Sequence, residues 1–328
     1  MSINYSDIFS KAWTITWKYK VLWFFGFLAM LGGSGGYNGT PSGGGSAPNA
    51  SSRIGVNEVD QRYIPPEWKS TFDQLAKVDV NTWISIIVIS VCCLLLLGLA
   101  FWLLSIIGRG GLISGILAAD TTGKVTFRDT WNAGVRYFLR LFVIRLLGIA
   151  FGILLAVLVF VPGFFIGLVT CGVGFIPLAC FMFVVGIGIN LWFAFMDYAV
   201  VVENQGVGAA IGRAWSVLWA HIGPVLVFWL ILFAVSLVVG IGMLILLAPS
   251  AVVIFLSLLS LITLTGTINT SLLIVGIVLF VLFILASIVI NSVYTVWETG
   301  VMTLAYREFA KATPMLAVTT EHQPVVSG

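Results

Sequence analysis

Seven polar residues interrupt otherwise apolar stretches: Arg109, Arg140, Arg145, Asn190, Asp197, Asn291 and Glu298. Ionisable groups inside a bilayer are costly, so each is a candidate for function or for pairing. Arg140 and Arg145 present guanidinium groups that suit an anionic lipid headgroup or substrate. Asp197 and Glu298 bring the opposite charge to the same leaflet, with Arg109 nearby. Asn190 stands seven residues before Asp197, and Asn291 seven before Glu298. Seven residues is about two helical turns, which predicts that each amide shares a face with its acid. Two readings stand. In one, a cytoplasmic-side polar pocket uses Arg140 and Arg145 to hold an anion. In the other, which headgroup proximity favours, the arginines pair with Asp197 and Glu298 or snorkel to the interface. Arg145 is too deep to be left unpaired. Asp197 is its expected partner, because sequential helices usually pack together. Asp120 and Asp129 are expected closer to water. The asparagines are expected to hydrogen-bond between helices.

No recognisable catalytic constellation accompanies these residues. There is no HExxH, no GxxxxGK[ST], and no GxGxxG after a strand. Gly123-Lys124 lacks the upstream glycine and the following hydroxyl. His221 and His322 form no triad with a motif-borne Ser or Cys. Cys92, Cys93, Cys171 and Cys180 lie in apolar runs without ligand spacing, and read as packing residues. The reading is therefore non-enzymatic, with no cofactor and no metal. Composition agrees. Of 328 residues, 60% are hydrophobic and 9% charged, too few charges to cover a soluble body of this size. A net charge of +3 gives no argument for nucleic acid. What remains is a polytopic membrane protein whose partners are membrane lipids and proteins within the membrane.

The elements that must position these residues are apolar helices. Trp83–Ile107, Phe138–Val161, Leu178–Val202, Val225–Ala248 and Leu272–Trp297 can each cross about 30 Å of hydrocarbon. Val21–Leu31 is short and suffices only if its helix starts near Trp13. That makes six spans. The apolar links Gly163–Pro177 and Ser250–Ser271 read as re-entrant or interfacial helices. Residues 32–82 form the one substantial polar segment. It begins Gly/Ser-rich and continues IPPEWKSTFDQLAKV, where Pro66 suits a first helical turn and Trp68, Phe72 and Leu75 share a stripe. Asn81 or Thr82 would cap the next span, with Trp83 in the aromatic belt. Asn38 and Asn49 stand in glycosylation-type tripeptides, which are common by chance. Twelve of the 16 Lys+Arg residues fall on the N-terminal side of a six-span chain. The other four, Arg53, Arg62, Lys69 and Lys77, lie in the 32–82 loop. The expectation is a plasma-membrane protein with both termini cytoplasmic and that loop outside.

An internal repeat organises the spans. Phe9-Ser-Lys-Ala-Trp13, Phe127-Arg-Asp-Thr-Trp131 and Ile211-Gly-Arg-Ala-Trp215 each precede an odd-numbered span. Each continues four residues on with an apolar side chain: Trp17, Val135 or Trp219. These are predicted amphipathic helices, with Trp at headgroup depth and Lys11, Arg128, Arg136 and Arg213 turned to the cytoplasm. Asp120-Thr-Thr-Gly123 and Glu203-Asn-Gln-Gly206 end two even-span extensions. The Gly111/Gly115/Ala119 and Gly148/Gly152/Ala156 stripes read as close-packing faces. The fold class is an all-α polytopic bundle of six transmembrane helices in three repeated hairpins, each preceded by a cytoplasmic amphipathic helix. Its parts are 1–31 (interfacial helix and span 1), 32–82 (extracytoplasmic loop) and 83–123 (span 2 and extension). Two hairpin modules follow, 124–206 and 207–312, then a disordered tail, 313–328.

The stretch TWKYKVLWFFGFLA at 16–29 is similar to the N-termini of many bacterial multi-pass proteins. YAVVVENQGVGAAIGRAWSVLW at 198–219 resembles the repeat of the glycerophosphodiester phosphodiesterase membrane-domain group. The resemblance implies the fold without an activity, because the catalytic barrel that can accompany this membrane part has no counterpart here. The functional expectation is an envelope scaffold or accessory subunit. The alternative is a small transporter or lipid-handling permease using the cytoplasmic-side pocket.

Overall fold

A computed structural model describes residues 5–32, 80–170, 174–263 and 270–313. The 32–82 loop beyond Gly32 up to 79, the Trp68 helix, Asn38, Asn49, Cys171, His322 and the tail after 313 lie outside them. So do the side chains of Asn81 and Trp83. The described residues form eight helices and no strand: α1 (Tyr5–Lys18), α2 (Val21–Leu31), α3 (Val80–Thr121), α4 (Phe127–Val169), α5 (Phe175–Val202), α6 (Val207–Ala220), α7 (Ile222–Thr263) and α8 (Thr270–Ala312). Five of them, α3, α4, α5, α7 and α8, are long and apolar enough to cross a membrane. The all-helical, multi-pass reading therefore holds.

Three expectations change. The first span does not reach back to Trp13, because the helix breaks at Tyr19-Lys20 and leaves the 11-residue α2. Tyr19 still accepts from the Leu22 amide (3.0 Å), and its hydroxyl donates to the Gly123 carbonyl (2.6 Å). The apolar links are not separate helices either. Residues 163–169 continue α4 through Pro162, and 251–263 continue α7 through Pro249. Proline removes one backbone bond but is tolerated in membrane helices, where neighbouring groups adjust.

The third change concerns the amphipathic helices. In α1 the buried residues are Ile8, Ala12, Ile15 and Thr16; in α6 they are Ala210, Arg213, Ala214, Val217 and Leu218. Trp13, Trp17, Trp215 and Trp219 are about half exposed. Arg213 is 8% exposed, so it does not turn to the cytoplasm as a solvated charge. Large apolar side chains gain nothing by leaving lipid, so small residues take the packed face and tryptophan the outer one. The outward rings pair edge-on, Trp13 with Trp17 at 5.7 Å and Trp215 with Trp219 at 5.4 Å.

The chain divides into two units. The first holds residues 1–22, 109–230 and 297–328. Its core is Leu112, Ile113, Ile116, Leu141, Ile144, Phe195, Tyr198, Phe228, Tyr306 and Phe309. The second holds residues 23–108 and 231–296. There a Cβ added at Gly108 would lie 2.8 Å from the Ala29 backbone nitrogen, so α2 and α3 touch backbone to backbone. Ser292 donates to the Trp23 carbonyl in the same unit. The small-residue stripes diverge. Gly115 packs on Leu22 and Thr130 as expected, whereas a Cβ at Gly152 would have no described residue within 4 Å.

Candidate functional site

Asp197, Asp120 and Glu203 each form ion pairs between segments of the first unit. Asp197, on α5, is 1% exposed. Arg145 of α4 donates through Nη2 to its Oδ2 at 2.8 Å. Arg109 of α3 brings Nε to 2.9 Å from the same oxygen. One carboxylate thus ties three helices, and the surrounding low dielectric strengthens the attraction. Stranding either charge there is strongly destabilising.

Asp120 closes α3 and its side chain is 2% exposed, not close to water as expected. It pairs with Lys11 of α1 and Arg307 of α8. Glu203, one residue past α5, is the third centre. It accepts from Arg213 Nε (3.1 and 3.2 Å), Gln205 Nε2 (2.7 Å) and the Tyr306 hydroxyl (2.9 Å). Arg213 then donates from Nη1 to the Thr313 carbonyl (3.1 Å) and from Nη2 to the Ala310 carbonyl (2.9 Å). It thereby satisfies acceptors that a helix end leaves open. The planar guanidinium suits this double task.

Arg140 does not join Asp197. Its Nη1 reaches the α5–α6 turn, at Asn204 Oδ1 (2.9 Å) and the carbonyls of Asn204 and Gln205 (3.3 Å each). Asn204 holds φ of 53°, the left-handed geometry that asparagine tolerates better than most residues. Arg140 is thus spent on carbonyls just past a span.

The sequence-derived candidates therefore separate. Arg109, Arg145 and Asp197 come together, and Glu298 is buried on α8 at 1% exposure. Asn190 does not share Asp197's environment, because it is exposed while Asp197 is buried. The cause is the packing of α5: its last two turns are enclosed in the core, whereas the turns around Asn190 are not. Asn291 donates to the Ser287 carbonyl of its own helix (2.9 Å), not across helices. Sequence reasoning missed Asp120, Glu203, Lys11, Arg213 and Arg307 as a linked set. Its available signal was the acid-x-x-Gly ending shared by Asp120 and Glu203.

Among the described residues no group of His, Cys, Asp and Glu has metal-binding geometry. Cys92, Cys93 and Cys180 are free and exposed. The arrangement neutralises charge while joining helix ends. No curated protein and no solved structure matches the chain. The resemblance to the glycerophosphodiester phosphodiesterase membrane-domain group thus rests on the sequence stretches alone. A family model, by contrast, matches residues 15–305, well over half of the 328. The chain belongs to DUF7544, a family of unknown function.

Proposed function

We propose that this protein is a non-enzymatic plasma-membrane scaffold or accessory subunit, with its ion-paired end on the cytoplasmic side. The observation that carries the reading is that Asp120, Asp197 and Glu203 are each neutralised by basic residues of other segments. Charges committed to one another hold helices; a carrier's binding charges must be released to substrate.

Six crossings in three hairpins fit the same contacts. Lys11, Asp120 and Arg307 meet, so α1 and the ends of α3 and α8 lie on one side of the membrane. With α3 crossing between Lys11 and Asp120, the meeting of these two residues supports one further crossing before α3. We assign that first, short crossing to the α2 region. The repeat is supported by matching positions in α1 and α6. Ile8, Ala12, Ile15 and Thr16 correspond to Ala210, Ala214, Val217 and Leu218, and Lys11 and Arg213 each pair with an acid that follows an even-numbered span. The exposed tryptophan pairs suit the headgroup layer. The basic residues gathered at this end support the cytoplasmic orientation.

Native mass measurement of the protein released from its own membranes tests the reading. A stoichiometric membrane-protein partner is expected. A small anionic molecule retained by the wild type and lost in Arg145→Leu would overturn it and favour a permease.

A further inference from the structure

Asn190 is exposed on α5 near the middle of the candidate span Pro177–Val202: 190 − 177 is 13 residues, and 202 − 190 is 12. At 1.5 Å per residue it lies about 18–20 Å from either end. No hydrogen-bond partner reaches it among the described residues. Its counterpart Asn291 bonds to the carbonyl one turn earlier, so an asparagine in such a helix has a self-satisfying option that Asn190 does not take. Lipid tails offer no donor or acceptor, and an unmet amide at that depth is costly.

We propose that a second copy of this chain covers this face, amide to amide across a two-fold axis. An asparagine amide carries both a donor and an acceptor, so two related by symmetry satisfy each other reciprocally. A second copy necessarily presents that amide at the same depth. The surroundings permit the approach. Ala179, Phe183, Gly186 and Asn190 recur at spacings of 4, 3 and 4, the seam spacing of a helix pair, and all four are exposed. A Cβ at Gly186 would meet no described residue within 4 Å. Toward Asp197 the same stripe enters the chain's own packing, where Phe193 lies against Gly148. The seam therefore belongs to the outer part of α5.

The test is association in liposomes, read by energy transfer between labelled copies. The wild type associates. Asn190→Leu raises the dissociation constant about tenfold, and Asn190→Gln largely retains association. Equal melting temperatures for all three show that folding is untouched. In a variant with Cys92, Cys93, Cys171 and Cys180 replaced by alanine, oxidation cross-links Asn190→Cys between copies. Gly188→Cys, on the other side of α5, does not cross-link. A wild type that stays monomeric at every protein-to-lipid ratio overturns the proposal. So does undiminished association of Asn190→Leu, or a cross-link from position 190 to a different protein. None of these outcomes bears on the ion pairs behind the scaffold reading.

Discussion

Arg145 of α4 and Asp197 of α5 are joined by a 2.8 Å charge-assisted hydrogen bond, and Arg109 shares the same carboxylate oxygen. The grouping is a three-way junction, so its variants are unequal. Asp197→Leu removes the carboxylate that two arginines share and is expected to cost about 3–5 kcal/mol. Arg145→Leu leaves the Arg109 pair in place and costs less. The Arg145→Leu/Asp197→Leu double variant stays low because Arg109 has still lost the Asp197 carboxylate. Thermal unfolding in detergent gives this order directly; full recovery in the double variant would mean that Arg109 contributes nothing.

Arg213 grips Glu203 with one edge and the last turn of α8 with the other. Arg213→Lys keeps the charge and loses the fork. Amide exchange over residues 308–313 is then expected to quicken roughly tenfold, equivalent to about 1.4 kcal/mol of local opening. Exchange elsewhere in α8 should hardly change. Mass spectrometry after deuterium labelling reads both.

Glycines separate packed from open helix faces. Gly108→Ala drives a Cβ against the α2 backbone, which cannot swing aside. Gly115→Ala meets only the Leu22 methyl at 2.7 Å and Thr130, and Leu22 can move. Gly152→Ala meets no described residue within 4 Å. The expected order of destabilisation is Gly108→Ala, then Gly115→Ala, with the first costing about 1–3 kcal/mol. Gly152→Ala should be neutral or slightly stabilising through helix propensity. Melting temperatures of the three variants check the sequence.

Topology is open to labelling. In a background without native cysteines, a cysteine at Ser46 is expected to react with an impermeant thiol reagent outside intact cells. One at Ser327 should react only after permeabilisation. Labelling of Ser327 from outside would contradict the six-crossing reading, however well the Asp120 cluster is formed.

The long spans were legible because hydrocarbon demands unbroken apolar runs, and the Arg145–Asp197 contact because a deep charge demands a partner. Other features depended on information that periodicity lacks. A helical stripe gives a phase but not the depth of burial, so Arg213 reads as a solvated cytoplasmic charge, whereas the structure encloses it at 8% exposure. Pro162 and Pro249 fall between the expected spans and their apolar links, yet both lie inside continuous helices. The break at Tyr19-Lys20 has no proline or glycine, and Tyr19's bond to Gly123 joins positions 104 residues apart. Glu203 looked like turn punctuation because its partners Arg213 and Tyr306 come from later segments.

Asp120 also sets a schedule for synthesis. One of its partners, Lys11, is made before it, and the other, Arg307, only 187 residues after it. A nascent chain halted before α8 holds a carboxylate only half answered, together with a Glu203 still lacking Tyr306. The clasp can shut only when α8 arrives, so a chain that lacks α8 keeps Asp120 answered by Lys11 alone and Glu203 without its Tyr306 bond.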